Sequence, residues 1–497
     1  MAKFFNLGDL IQRDRDQTKT AIIDLSGEGP REFSYAEFDA AASGVARALR
    51  AKGLDRGDRV AILSANRAEY LASVFGIMRS GLVAVPVNHR FPRSTIDFII
   101  ADSGAKLVFC DHERRRDCPH ILDAIEFGET FDSFLDHGPF ESVIPSPREP
   151  AIFLYTSGST GVPKGVVLSH QAHLWVVETR LNQDYSRHRY LVAAPLYHMN
   201  ALAVSQVVCG GYATLVLLPQ FNAAAYIDAI ERYRCTWLTA VPPMMAMMLR
   251  DERLKHADLS SVEFVRMGSA PVSESLMADL HRALPKAAIT NAYGTTEGGP
   301  VVFGPHPSGL PQPELSVGYP HSQVAVRLRG AAGEIANEGV LEMKAPSIMN
   351  GYHNRPDLPS PITEDGFYIT GDVFRRDENG FHFFVGRTDD MFVSGGENIY
   401  PTDVERMLER NPEIAQAAVV PIEDEVKGQK PVAFVVARTG SRLSEDQVKQ
   451  YALKNAPAYQ HPRFVWFLDR LPLSSTNKID RAALIRSAGE RIKVPQP

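Results

Sequence analysis

Tyr155-Thr-Ser-Gly-Ser-Thr-Gly-Val-Pro-Lys-Gly-Val-Val-Leu-Ser-His170 is a hydroxyl-rich glycine loop held between two apolar runs. Ile152 to Tyr155 and Val166 to Leu168 read as strands. That leaves Ser157, Gly158, Ser159, Thr160 and Gly161 as the turn, with backbone N–H groups free to face an anion. Thr156 adds a hydroxyl at its edge and Lys164 a cation, so the segment is suited to holding phosphate. A Walker loop requires Gly-Lys-Ser/Thr opening a helix, whereas Lys164 here follows Pro163 and precedes Gly165. That reading fails. The plain alternative is a Gly/Ser hairpin turn that binds nothing.

Upstream of the loop the chain alternates. Val60 to Leu63 reads as strand, Glu69 to Met78 as helix, Leu82 to Val87 as strand, Ser94 to Ala101 as helix and Lys106 to Cys110 as strand, the pattern of βαβ winding. Arg114-Arg115-Arg116 reads as a solvated face, and Ile144-Pro-Ser-Pro-Arg-Glu-Pro150 as surface chain leading into the loop. Downstream, Thr214 to Leu218 and Thr236 to Thr239 read as strands around a helix at Ala223 to Arg232, a second α/β unit. Met244-Met-Ala-Met-Met248 reads as a helix of adaptable core side chains rather than a cofactor box. Ala201 to Leu218 is uncharged and long enough to raise a membrane span, but Gly210-Gly211 breaks it and Gln206 interrupts it.

Past Pro300 short strands such as Val324 to Leu328 and Gly339 to Met343 replace long helices. A hairpin turns at Asp377-Glu-Asn-Gly380, and the polar Gly386-Arg-Thr-Asp-Asp390 precedes a new strand at Met391 to Val393. The domain boundary is placed there. Pro401 to Arg410, Ala417 to Val420, Val432 to Val436, Glu445 to Asn455 and Phe464 to Leu468 then alternate helix and strand as a compact α+β unit.

A chain of 497 residues exceeds one core, and 44% hydrophobic residues suffice to fill two or more. The net charge of −6 gives no electrostatic footprint for nucleic acid. Cys110, Cys118, Cys209 and Cys235 show no metal-ligand spacing and read as core thiols in a reducing compartment. The stretch Met-Ala-Lys-Phe-Phe-Asn-Leu-Gly-Asp at the start has no apolar h-region, so a cytoplasmic location is expected.

Five further segments place polar residues where packing alone does not ask for them. They are Gly268-Ser-Ala-Pro271, Asn291-Ala-Tyr-Gly-Thr-Thr-Glu297, Tyr368-Ile-Thr-Gly-Asp372, Gly386-Arg-Thr-Asp-Asp-Met-Phe-Val-Ser-Gly-Gly-Glu-Asn398 and Pro472-Leu-Ser-Ser-Thr-Asn-Lys-Ile-Asp480. With the phosphate loop, in this order and spacing, they resemble the motifs of the adenylate-forming superfamily, which holds acyl-CoA synthetases, luciferases and peptide-synthetase adenylation domains. The resemblance covers essentially the whole chain.

It implies an α/β fold. A large N-terminal adenylation domain, residues 1–388, would hold two wound αβ subdomains and a small β-barrel; residues 389–497 would form a mobile α+β domain carrying the adenylation lysine. The residues agree with an ATP site. Thr156, Ser157, Gly158, Ser159, Thr160 and Lys164 would face phosphates, with Ser269, Ala270, Pro271, Asn291, Ala292, Gly294 and Thr295 around the nucleotide. Tyr293 offers a ring for adenine, Thr296 a hydroxyl for the α-phosphate, and Glu297 a hard oxygen for Mg²⁺. Asp372 can accept both ribose hydroxyls, and Arg387 can donate to the same sugar. Lys478 looks like the adenylation lysine, binding carboxylate and α-phosphate as negative charge builds. The plain readings are a surface acid, a boundary ion pair and a solvated lysine. Asn477 departs from the glycine that many members have before this lysine, and Ser159 from a common threonine.

The fate of the adenylate depends on the hinge. Ser394-Gly-Gly-Glu-Asn-Ile-Tyr-Pro401 resembles the acyl-CoA synthetase form, with Asp389 as pivot. Gly395, Gly396 and Glu397 would line a pantetheine tunnel for coenzyme A, although two glycines also make a turn with positive φ. His198, in Pro195-Leu-Tyr-His-Met-Asn200, resembles the gate between acyl pocket and tunnel; a structural histidine is the alternative. The implied activity is that of an AMP-forming acid:CoA ligase, with a luciferase-like monooxygenase or a carrier-loading ligase as rivals. The acyl tail would lie among Asn200, Val241, Met244, Met267, Gly268, Gly298, Gly299 and Pro300. None of these is charged, so dicarboxylates should be rejected; the paired glycines should leave room beyond a two-carbon acid, which disfavours acetate, and Pro300-Val301 after them resembles aryl-acid ligases, so a benzoate- or cinnamate-like acid is expected, or a medium-chain fatty acid.

Overall fold

The computed structural model describes residues 4–157, 162–475 and 477–493. Its first sheet runs, in strand order, Asp123–Glu126, Ala105–Cys110, Arg59–Leu63, Val83–Pro86, Pro150–Ser157 and Pro163–Ser169. Neighbouring strands are parallel except the last pair, the antiparallel hairpin of Pro150–Ser157 and Pro163–Ser169. The second sheet runs Ala288–Ala292, Phe264–Gly268, Trp237–Ala240, Arg189–Val192, Thr214–Leu217, Thr20–Asp24 and Arg31–Ser34, parallel up to its antiparallel edge. Strands buried on both faces by crossover helices read as the near-continuous apolar runs seen here.

The two sheets share one core. Every residue of the helix Ala68–Arg79 is buried, and nearly all of Met199–Gly210. Their side chains join Ile22, Val60 and Leu215 of the two sheets in a single cluster. The only charged side chains in this buried helix are provided for: Arg79 Nη2 lies 2.7 Å from Asp39 Oδ1, and Arg31 Nη1 lies 2.6 Å from Glu69 Oε1. An unpaired buried charge is strongly destabilising. Met244, Met245 and Met248 of the helix Pro242–Met248 are fully buried in the core of the second sheet. Ala201 to Leu218 is helix, turn and strand, and among the described residues no helix is long and apolar enough to cross a membrane.

The small β-unit is a six-stranded antiparallel sheet in the order Phe303–Gly304, Ser316–Pro320, His382–Arg387, Tyr368–Arg376, Glu338–Lys344 and Ala325–Arg329. After Arg387 a turn leads into the last unit, the small unit, and the three sheets before it make up the large unit. There Phe392–Ser394, Glu397–Ile399, Ile414–Asp424, Gly428–Ala437 and Val465–Phe467 form a sheet. Pro401–Glu409 and Glu445–Asn455 pack on one face of it through Val404, Leu408 and Val448, and Arg481–Lys493 on the other through Leu484 and Ala488.

Candidate active site

Between the large and small units opens a cavity of about 1640 Å³. It lies outside the carboxyl ends of the second sheet's strands, where open α/β sheets place ligands. His198 and Asn200 follow the strand Arg189–Val192, Val241 follows Trp237–Ala240, Ser269 to Pro271 follow Phe264–Gly268, and Tyr293 to Glu297 follow Ala288–Ala292; all of them line it. The first sheet contributes Thr156 and Lys164, which sit opposite one another at the open end of the hairpin. Gly158, Ser159 and Thr160 lie outside the described residues, as does the side chain of Ser157.

Asp372 anchors one wall. It is 3% exposed and sits directly across the antiparallel ladder from Arg387, whose Nη1 donates to Oδ1 at 2.7 Å. The Tyr293 hydroxyl donates to Oδ2 at 2.5 Å, and its ring stands edge-on to Phe374 at 4.8 Å. Burial pushes the Asp372 carboxyl above its ordinary range, against the pull of Arg387. Each oxygen retains a lone pair for a further donor. Asn291 is spent structurally, donating to the Leu315 carbonyl at 3.0 Å. Glu297 accepts from the Tyr352 hydroxyl at 3.2 Å, and Lys164 lies 5.4 Å from the same tyrosine ring. Burial pushes the Glu297 carboxyl up as well. Ser269 turns the chain at φ 66°, in the left-handed region, and a Cβ on Gly268 would stand 2.8 Å from the Ala292 carbonyl oxygen.

Lys478 reaches the cavity from the small unit. Its side chain is open to the cavity yet surrounded by protein, and that enclosure, with Arg387 nearby, lowers its pKa against the opposing pull of Asp372. The loop that carries it is docked on the large unit: Asn88 Nδ2 donates to Ser475 Oγ at 2.9 Å and the Tyr197 hydroxyl to the Ser475 carbonyl at 3.1 Å. Asn477 has φ 59°, and its N–H donates to the Ser474 carbonyl at 3.0 Å. The departure from glycine is therefore explained, since asparagine is the side-chain-bearing residue that best tolerates this conformation. His198 presents an imidazole pushed down to about 3 by burial, then by the charges of Lys478 and Arg90. It is neutral at ordinary pH. Asp389 also lines the cavity, 3.4 Å from Arg387 Nη2.

The chain matches the AMP-binding enzyme family over residues 11–353 and the AMP-binding enzyme C-terminal domain over residues 403–478. It belongs to the AMP-binding enzymes. The feruloyl-CoA synthase of Amycolatopsis sp is 34% identical over 477 residues, covering 93% of this chain and 95% of that one. Among solved structures, ATP-bound MatB from Rhodopseudomonas palustris superposes with a TM-score of 0.88 at 27% identity, over 98% of this chain and 99% of the other. The o-succinylbenzoate CoA synthetase of Bacillus subtilis, in complex with its acyl-adenylate intermediate, gives 0.80 at 27% identity, over 96% and 97%.

Several expected positions in this AMP-binding enzyme are not where the sequence put them. Gly395 and Gly396, at φ 60° and 90°, are the exposed turn joining Phe392–Ser394 to Glu397–Ile399, and neither they nor Glu397 line the cavity. Nothing lies within 4 Å of a Cβ on Gly396, so in this arrangement these glycines serve the turn and clear no tunnel. Met244 faces the core. Gly298 and Gly299 leave no room for an acid: a Cβ on Gly298 would meet Met343 Sδ at 2.8 Å, and one on Gly299, at φ 89°, would meet Ser347 Oγ at 2.4 Å. They close a turn in which Gly299 N–H donates to the Thr295 carbonyl at 2.9 Å.

Met267, Gly268, Pro300 and Asn200 instead surround a small second cavity of about 30 Å³, together with Arg266. The two cavities share Asn200, Ser269, Tyr293 and Gly294 in their walls. The named pocket positions are uncharged, but the pocket is not, so the ground for rejecting dicarboxylates falls. Sequence reasoning missed Arg266 and its neighbour Arg180, and also the docking pair Asn88 and Tyr197. A signal for Arg266 existed: it interrupts the apolar strand Phe264–Gly268.

Proposed function

We propose that this AMP-binding enzyme is an ATP-dependent, AMP-forming carboxylic acid:CoA ligase acting on an aromatic or medium-chain acid. The observation that carries the reading is the meeting of Asp372, Arg387 and Lys478 in one cavity with Thr296 and Glu297. Asp372 accepts the ribose hydroxyls through the lone pairs left free by Tyr293 and Arg387. Lys164, Thr156 and the loop beyond them hold the triphosphate. Magnesium would sit on Glu297 and neutralise phosphate oxygens; a single protein carboxylate suits that ion, which keeps waters and relies on substrate phosphates.

A carboxylate oxygen of the acid attacks the α-phosphorus, and pyrophosphate leaves. Lys478 donates to the oxygens that gain negative charge, a role that needs a fixed ammonium and no proton transfer. The CoA thiolate then attacks the acyl carbon, and AMP departs with the bridging oxygen. His198 is neutral and positioned as a gate on the acyl side. For this second step the small unit turns about Asp389, which carries Gly395, Gly396 and Glu397 from the exposed turn toward the site.

Incubation with an acid, ATP, Mg²⁺ and CoA tests the proposal. AMP, pyrophosphate and a CoA ester should form in equal amounts. Light with oxygen uptake, or AMP release that requires a carrier protein, would contradict it in favour of the rival reactions.

A further inference from the structure

Arg180 ends the helix His170–Arg180, and Arg266 sits in the strand Phe264–Gly268. Alternation along that strand sends Val265 and Met267 into the core of the second sheet and Arg266 to the other face, toward Arg180. Both guanidinium groups converge on one neutral acceptor: Arg180 Nη2 donates to the Pro300 carbonyl at 2.9 Å and Arg266 Nη2 to the same oxygen at 3.1 Å. Among the described residues neither has a carboxylate within ion-pair distance. Like charges held together in a half-buried place without an anion are costly, and proteins retain them where something pairs with them. Burial and mutual repulsion depress the pKa of Arg180, and burial depresses that of Arg266 to about 10.

Of the two, Arg266 reaches the space beside the large cavity. Arg266 lines the 30 Å³ cavity with Asn200, Gly268 and Pro300, and that cavity shares a wall with the large one. The Asn200 side chain makes no hydrogen bond among the described residues, so its amide is free to meet a ligand. The space suits one small polar group, not a ring or a chain. The body of the acid therefore stays in the large cavity and only its end enters. Arginine supplies donors alone, in a fork matched to carboxylate.

We infer that Arg266, backed by Arg180 and with Asn200 beside it, is a distal-carboxylate subsite, so that the preferred acid is a dicarboxylic one. The inference rests on the ligase reading and names its substrate class. One carboxylate is activated beside Lys478 and the other is held at Arg266.

The test compares kcat/KM for AMP release by the full chain in matched pairs: adipate against hexanoate, and terephthalate against 4-methylbenzoate. The dicarboxylate of each pair should be favoured by ~10-fold or more, since a site built to hydrogen-bond a group discriminates against analogues lacking it. The ratio should collapse toward one in Arg266→Met and in Arg180→Met, and fall only part-way in Arg266→Lys, which keeps charge but not the fork. Because the readout is a ratio, loss of folded enzyme cancels. A wild-type ratio at or below one, or a ratio unchanged by both methionine variants, overturns the subsite. Absence of AMP with all four acids would instead sink the ligase reading. Calorimetric titration of terephthalate into wild type and Arg266→Met then still decides the subsite: weaker binding to the variant supports it, and equal binding overturns it.

Discussion

Lys478 depends on its neighbour. The loop Pro472 to Asp480 must hold the ammonium toward Asp372 and Arg387, and Asn477 at φ 59° makes the turn that does so. Lys478→Ala should lower ATP–pyrophosphate exchange by ~10² or more, the scale of one lost transition-state donor. Supplied with ready-made acyl-AMP, the variant should still form thioester; equal loss of both half-reactions would remove Lys478 from this role. Asn477→Gly should keep full exchange activity. Asn477→Val puts a branched side chain in a conformation that costs ~1–2 kcal/mol and should slow exchange, and a silent valine variant would show that the turn does not position the lysine. At this scale residue type singled out Asp372, Arg387 and Lys478, which the structure brings to one cavity. The sequence was opaque where the meaning of a residue comes from its neighbours. Gly298 and Gly299 looked like vacant space and are packing against Met343 and Ser347. Arg266 drew no reading at all, because nothing in one sequence says that Arg180 and Pro300 stand beside it.

Elements were legible by periodicity and punctuated by turn residues. The helix Glu445–Asn455 falls where its periodicity places it, and its start carries the reciprocal cap of Ser444 and Gln447. The same signal, Ser34 with Glu37, marks the start of Tyr35–Ala51 and went unread, so the strands and helix before Arg59 came only from the structure. The hairpin Ile414–Asp424 and Gly428–Ala437 is longer than its apolar runs suggest. Pro421 and Pro431 stand opposite one another in its register, and prolines that would usually end a strand are carried by the long ladder around them. The segment between Arg387 and Phe392 is the element on which the proposed second step depends. It holds few contacts, chiefly Thr388 with the Gly371 carbonyl at 2.9 Å. Asp389→Pro fixes φ there and should preserve pyrophosphate exchange while abolishing thioester formation. Unchanged overall turnover would place the pivot elsewhere.

Across the whole molecule the two units are joined by polar contacts, Arg410 with Glu274 at 3.1 Å and Arg438 with Asp279 at 2.8 Å, beside the Ser475 contacts. Such contacts release at modest cost, as the proposed rotation requires. Glu409 lies on the same face, its carboxyl accepting from the Ala417 N–H at 2.9 Å. Burial raises it from 4.5 to about 7. The raised value means that the folded state holds the proton more tightly than the unfolded chain. The associated stability is thus complete below about 4.5 and lost as pH rises through about 7. Glu409→Gln should flatten the dependence of Tm on pH across that window; a slope equal to wild type would show that Glu409 does not titrate there.

In the proposed reaction, acid and ATP meet in this cavity as acyl-adenylate. The most direct measurement uses an acid labelled with ¹⁸O in its carboxylate, with ATP, Mg²⁺ and CoA, and mass analysis of the products. Attack on the α-phosphorus followed by thiolysis predicts one labelled oxygen in the phosphate of AMP and none in pyrophosphate. Unlabelled AMP beside a fully formed CoA ester would contradict the account.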